Sequence, residues 1–359
     1  MPGLVPGTGH GSRKEDTIGR GTAAAAGTGG AGPRLSRYTP PTMEKRKLGK
    51  SNLEVSIVGI GCNNFGLRAD PAQTRAVVDK AIELGVTLFD TADRYGQPAG
   101  TSEQYLGQAL GARRKNIVLA SKFGNAMDDS GTMQGASRRY IRIAVEASLK
   151  RLNTDWIDLY QMHRPDTETP IDETLRALQD LVREGKIRHA GCSQFSAAQI
   201  REAGQAAMKS GIEGLVSAQN HYNLIKRDME REFVPAIREC GISFIPFYPL
   251  AGGLLTGKYR RDVAPAGSRF ATPREQEKRA LAGDPWPVLE QLEKFCAARG
   301  RTLLELAANW LLSRPGVACM IAGATKPEQV EANIKAVGWK LSAQDLAELD
   351  RITQPGAAA

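Results

Sequence analysis

No apolar run in this chain approaches the roughly 20 residues that a helix needs to cross a bilayer, which excludes a helical membrane protein. Cysteine is sparse and scattered. Cys62, Cys192, Cys240, Cys296 and Cys319 show no C-x-x-C spacing, so neither a zinc site nor a disulfide framework is expected, and a reducing, cytoplasmic setting fits. The net charge of +9 lacks a dense Lys/Arg block. Arg13, Lys14, Arg20, Arg34 and Arg37 outweigh Glu15 and Asp16 near the N-terminus, and the remaining excess is dispersed. Such a mild positive potential suits a small anionic ligand, and no nucleic-acid motif accompanies it.

Residues 1–42 have hardly any large apolar side chains and are rich in Gly, Ala, Pro, Thr and Ser. They cannot bury enough surface to offset ordering entropy, so they are expected to be a disordered leader. They also lack the apolar core of a secretory signal. The folded chain is expected to begin at Met43 and run through residue 359 as one domain. Its hydrophobic content of 41% and charged content of 24% are ordinary for a globular protein.

What is present after Met43 is alternation. A hairpin is expected from Arg46–Lys50 and Leu53–Val58. Strands are then expected at Ile57–Ile60, Val86–Phe89, Ile117–Ser121, Ile157–Gln161, Ile187–Cys192, Gly214–Gln219, Ser243–Phe247 and Ala318–Ala322. Helical stretches lie between them at about 71–84, 102–111, 137–152, 172–184, 197–210, 228–240 and 286–313, with further helices at 327–336 and Asp345–Ile352. In 137–152, Ile141, Ala144, Val145, Leu149 and Leu152 share one face; Leu175, Leu178, Leu181 and Val182 do so in the next helix, which Gly185 is placed to end. Eight strands alternating with helices predict an α/β (β/α)8 TIM barrel with an N-terminal hairpin and a C-terminal helix. A doubly wound sheet would need a phosphate-binding turn after its first strand. Gly59-Ile60-Gly61-Cys62-Asn63-Asn64 lacks the third glycine of G-x-G-x-x-G and opens no helix.

Barrel enzymes place chemistry at the carboxyl ends of their strands. The second strand ends at Asp90, with Tyr95 five residues on; the third leads to Lys122 and the fourth to His163. Taken alone, Asp90 could be a helix cap and Tyr95 a packed aromatic. Together the four suit protonation of an oxygen while a hydride arrives at carbon. A nearby ammonium would lower the phenol pKa from about 10, the Asp would hold the lysine, and a neutral His would polarise a carbonyl.

Six strings then make a specific resemblance: GIGCNNFG at 59–66, FDTADRYG at 89–96, ASKFG at 120–124, VEASLKRLNTDWIDLYQMHRPD at 145–166, GKIRHAGCSQFS at 185–196 and PLAGGLLTGKY at 249–259. From about Met43 to Ile352 the chain resembles the aldo-keto reductases. The resemblance implies a tetrad of Asp90, Tyr95, Lys122 and His163 with Tyr95 as general acid, NADPH as cofactor and a small carbonyl compound as substrate. It implies cofactor contacts at Cys62 and Asn63, and carboxamide contacts at Ser193, Gln194 and Gln219. Phe247 falls where an aromatic stacks on the nicotinamide, and Tyr248 falls where the family has Ser or Thr. Pro249, Leu250, Gly252, Gly253, Lys258 and Arg269 resemble a segment folding over the pyrophosphate, a candidate lid. Near the C-terminus Gly323, Thr325 and Lys326 lead into a Pro327-started helix whose N-terminus and lysine suit a 2′-phosphate, with Gln329 and Asn333 bracketing the adenine. The resemblance also extends to nucleotide-sensing potassium-channel β subunits, which depart from the tetrad histidine; His163 favours an enzyme. Cys62, as a free thiol near the site, is expected to be sensitive to oxidants.

Overall fold

The computed structural model describes residues 43–354 apart from 262, 266–267, 269, 272–280 and 282. The expectations for the 1–42 leader and for Arg269 lie outside these residues. The described residues start with an antiparallel hairpin, β1 (Lys45–Lys47) and β2 (Glu54–Ser56), in which Arg46 faces Val55. Eight parallel strands follow in one sheet: β3 (Val58–Gly61), β4 (Leu88–Asp90), β5 (Val118–Phe123), β6 (Ile157–Met162), β7 (Ile187–Ser193), β8 (Leu215–Gln219), β9 (Ser243–Phe244) and β10 (Met320–Gly323). The order β10-β3-β4-β5-β6-β7-β8-β9 is that of a (β/α)8 barrel. Its seam is joined where Phe244 N donates to Gly316 O at 2.8 Å and Phe244 O accepts from Ala318 N at 2.9 Å.

The inner face of the sheet carries an apolar cluster that includes Leu88, Val118, Leu159, Val216, Ile245 and Cys319. Leu48 and Val55 of the hairpin belong to this cluster, so the hairpin plugs the interior. Gly49 permits that approach. It has φ +54°, and a Cβ there would stand 2.6 Å from the Val216 carbonyl oxygen. A larger cluster lies between the outer face and the helices.

Helices α1 (Pro71–Glu83), α2 (Thr101–Leu110), α3 (Arg138–Leu152), α4 (Ile171–Arg183), α5 (Ala197–Ser210) and α6 (Phe233–Glu239) alternate with the strands. Their starts follow local chemistry. Asp70 and Ser196 cap α1 and α5 in reciprocal boxes with Gln73 and Gln199, and Pro71 occupies a first-turn position where its missing N–H costs nothing. The expected apolar face of α3 is buried, and Gly185 follows α4 at φ +75°.

Two helical expectations need correction. The stretch 286–313 is two helices, α7 (Trp286–Ala297) and α8 (Leu303–Leu312). Gly300 at φ +62° breaks them apart and Thr302 with Glu305 starts the second in a capping box. The stretch 228–240 is a short 3-10 turn at Asp228–Glu230 followed by α6. Pro235 explains the late start, since proline is accommodated only in a first turn. The chain ends with α9 (Pro327–Lys335) and α10 (Ala343–Thr353). No helix among the described residues is long and apolar enough to cross a membrane.

Candidate active site

The first tetrad position is set by strand register. β4 ends at Asp90, and Asp90 and Lys122 are 3% and 1% exposed. Lys122 lies inside β5, which runs one residue beyond it to Phe123 rather than ending before it. The Lys122 Nζ donates to Asp90 Oδ2 at 2.6 Å and to the Thr91 carbonyl at 3.0 Å. It also stands 5.1 Å from the centroid of the Tyr95 ring.

Tyr95 rides on a turn pinned to the start of α2. Its carbonyl accepts from Gly100 N at 3.1 Å and Ser102 N at 3.2 Å. Gly96 follows at φ +90°, where a Cβ would meet Thr101 Cβ at 2.7 Å, so only glycine lets the turn pack so closely. His163 immediately follows β6 and is buried, with its ring edge against Tyr95 at 5.5 Å between centroids.

Burial and charge together set the protonation states. Burial pushes the Tyr95 phenol above its ordinary value of 10, although Lys122 pulls it down. Lys122 acts in the expected direction, but desolvation is the larger effect. Burial would lower Lys122, yet Asp90 and Tyr95 outweigh it and the ammonium is held above 10.5. Burial, followed by the charges of Lys122 and Arg164, lowers His163 to about 3, so its imidazole is neutral.

These four residues line a cleft of about 920 Å³ at the carboxyl ends of the strands. Most residues singled out in the sequence line it too. Asn63 follows β3; Ser193, Gln194 and Gln219 come from the ends of β7 and β8. Phe247, Tyr248, Pro249, Leu250, Gly252, Gly253 and Lys258 follow β9, and Gly323, Thr325, Gln329 and Asn333 come from β10 and α9. Gln194, at φ +62°, donates from its side chain to the His163 carbonyl at 3.0 Å. The backbone turns repeatedly through positive φ at Tyr248, Ala251, Gly252 and Gly253, which brings this segment over the cleft. Gln329 Oε1 accepts from Thr325 N at 2.7 Å, tying the loop after β10 to α9.

Two expected residues fall elsewhere. Cys62 is fully buried off the cleft wall. Its thiol faces the Ile60 carbonyl at 3.6 Å, and its own carbonyl accepts from Ser102 Oγ at 2.8 Å. Burial, with Asp90 adding to it, holds that thiol well above 9.0, contrary to the expected oxidant sensitivity. Lys326 is exposed at the N-cap of α9 and is not part of the wall.

Gly61, Asn64, Arg68, Thr256 and Leu304, none of them expected from the sequence, also line the cleft. Asn64 had a signal, since it shares a 3-10 turn with Asn63. Gly323 leaves room for that pair, as a Cβ there would stand 3.1 Å from Asn64 Nδ2. Leu304 had none, being an apolar position on a helix.

Behind Tyr95 lies a second buried carboxylate. Asp93 is 1% exposed, and neither of its oxygens has a hydrogen-bond partner among the described residues. Burial and then the neighbouring Glu103 charge raise it from 3.8 to about 8. Glu103 itself is paired with Arg151 at 2.7 Å and accepts from Ser121 at 2.5 Å. A raised carboxyl pKa makes folding take up a proton, so stability on this account falls as pH climbs from about 4 to about 8. Asp93→Asn is therefore expected to melt higher than the parent at pH 8, by a few kcal/mol at most, and to match it near pH 4. Parallel melting curves across that range would contradict the protonated assignment.

An Asp–Lys pair, a phenol and a neutral imidazole at the strand ends of a barrel define an oxidoreductase-type site. Residues 57–354 match the model of the Aldo/keto reductase family, and the chain belongs to that family. It is 37% identical to "Probable voltage-gated potassium channel subunit beta" of Arabidopsis thaliana, over 82% of this chain and 91% of that one. It is 37% identical to "Uncharacterized oxidoreductase YrpG" of Bacillus subtilis (strain 168), over 86% and 96%, and 36% identical to "Probable aldo-keto reductase 1" of Glycine max, over 87% and 89%. The family assignment makes it an enzyme dependent on NAD(P)H.

Proposed function

We propose that this enzyme reduces an aldehyde or ketone to an alcohol with NADPH, and that Tyr95 is the general acid. One observation carries the reading: Asp90, Tyr95, Lys122 and His163 converge in one cleft, with Lys122 salt-bridged to Asp90 at 2.6 Å and its ammonium 5.1 Å from the centroid of the Tyr95 ring. When bound, the reduced nicotinamide supplies a hydride. Lys122 stabilises the phenolate left as Tyr95 gives up its proton, Asp90 holds Lys122, and neutral His163 donates a hydrogen bond to the substrate oxygen. A site built this way protonates oxygen without exposing an acid to bulk water.

The residues present fit such a cofactor. Gln219 offers a side-chain amide at the barrel centre, Phe247 an aromatic face, and the N-terminus of α9 free N–H groups for phosphate. We assign Asn63, Ser193, Gln194, the Tyr248–Lys258 segment, Gly323, Thr325, Gln329 and Asn333 to cofactor binding, with Arg269 as a further candidate. The free cysteines Cys62, Cys192, Cys240, Cys296 and Cys319 support action in the cytosol. Lys326, one residue from the cleft wall at Thr325, is assigned to the 2′-phosphate as a flexible cation. Lys326→Glu is expected to raise the KM for NADPH about tenfold or more while leaving NADH within a few-fold. Equal changes for both cofactors would remove Lys326 from the site.

The test of the reading is a panel of aldehydes, ketones and sugar phosphates followed by loss of NADPH absorbance. The similarity to a channel β subunit carries a second reading, a nucleotide-sensing subunit. Cofactor binding with no turnover on any carbonyl would favour that one; His163 favours turnover.

A further inference from the structure

Asp90 has more partners than the lysine. Its Oδ2 receives Lys122, while its Oδ1 receives the side-chain nitrogens of Gln219 at 2.7 Å and Gln161 at 3.1 Å. The same Gln219 nitrogen donates to Gln161 Oε1 at 3.1 Å, closing a triangle of three side chains. All three are buried.

The orientation of both amides follows from chemistry. A carboxylate only accepts hydrogen bonds, so an NH2 group of each glutamine must face Asp90. Gln219 then turns its second N–H to the Gln161 oxygen. In this arrangement both of Gln219's bonds leave from nitrogen, and its Oε1 is the atom left for the cleft that Gln219 lines. Flipping either amide would set a carbonyl oxygen against the carboxylate, so the triangle has one solution.

The barrel makes room for this. Gln161 pairs in register with Lys122 on one side and Gly191 on the other. A Cβ at Gly191 would stand 3.0 Å from Gln161 Cγ and 2.4 Å from Ser217 Oγ, so the glycine leaves the niche through which the Gln161 chain reaches inward.

We propose that Gln161 is a positioning residue that locks the Gln219 amide with its oxygen toward the cleft, so that Gln219 accepts a hydrogen bond from the carboxamide NH2 of the nicotinamide. The inference rests on the cofactor reading above and adds a residue that does not itself touch the cofactor. Gln161 thereby joins Asp90, which holds the proton-donating side of the site through Lys122, to the group that orients the hydride donor. Its removal frees Gln219 to rotate, since one of two acceptors on its nitrogen is gone.

The experiment compares the full-length protein and Gln161→Met by calorimetric titration with NADP+ and with its 3-acetylpyridine analogue, in which a methyl replaces the carboxamide NH2. The parent is expected to prefer NADP+ about five- to tenfold, the worth of one hydrogen bond. In Gln161→Met the preference is expected to fall to less than about twofold, with melting checked in parallel. A second variant guards against misfolding. Gln161→Glu, protonated beside the Asp90 carboxylate at pH 5.5, still donates to Asp90 and accepts from Gln219, so at that pH the preference is expected to be retained. The charged groups beside that glutamate are Asp90, which hydrogen-bonds position 161, and Lys122, its neighbour across the strand pair, and the Asp90 charge favours the protonated form at the lower pH. A preference unchanged in Gln161→Met, or lost in a folded Gln161→Glu at pH 5.5, overturns the positioning role alone. A parent that binds both dinucleotides equally overturns the carboxamide contact. A parent that binds neither overturns the cofactor reading and this inference with it.

Discussion

Replacing Tyr95 by Phe is expected to cut carbonyl reduction by about 100- to 10,000-fold, the usual worth of a positioned general acid, while cofactor affinity stays within a few-fold. The change removes one hydroxyl and leaves the ring that packs edge-on against His163. Lys122 keeps its bonds to Asp90 and the Thr91 carbonyl, so the variant loses a proton donor without an orphaned ammonium. The measurement is steady-state reduction of the best substrate from the panel, with cofactor affinity titrated separately. Turnover close to the parent would remove Tyr95 from its role. The parent's pH profile adds a check. The phenol lies above 10 and His163 near 3, so neither group titrates between pH 5 and 7, below the titration of Asp93 near 8, and the reduction rate should be level across that range.

Removing the lysine is expected to damage stability as well as activity. Lys122→Met leaves the Asp90 carboxylate buried with two neutral amide donors and no countercharge. Breaking one partner of a buried pair costs about 3–5 kcal/mol. The lost stability should be largest at neutral pH and shrink on acidification. Adding Asp90→Asn to Lys122→Met removes the stranded charge and is expected to restore much of the stability, with no recovery of turnover. Denaturant unfolding at pH 5 and 7.5 on both variants measures this. A double variant as unstable as the single one would mean that the cost is lost packing rather than the uncompensated charge.

Much of the barrel could be read along the chain because its signals are local. Asp70 and Gln73, Ser196 and Gln199, and the apolar stripe of α3 each act within a turn or two of helix. The convergence of Asp90, Tyr95, Lys122 and His163 on one cleft was legible for a related reason. In a parallel barrel every strand end reaches the same face, so marking strand ends is enough to gather side chains that are far apart in sequence. The break at Gly300 was also written locally, in the Thr302–Glu305 box, and was overridden by the apolar pattern running across it.

Other features depend on which strands are neighbours and on which way a side chain turns. Cys62 sits where a strand-end residue is expected to meet the cleft, yet the 3-10 turn directs its thiol to the Ile60 carbonyl. Gln161 reads as one more residue of an apolar strand; only its pairing beside Gly191 and its approach to β4 and β8 give it partners. By itself the sequence determined the alternation of strands and helices, the caps, and the four strand-end side chains, since each follows from spacing and local hydrogen bonding. Tertiary structure alone decided that burial outweighs Lys122 at Tyr95, that Asp93 keeps its proton, and that Gln161, Gln219 and Asp90 form one unit. Desolvation and cross-strand contact are properties of the folded barrel, and no single stretch of chain carries them.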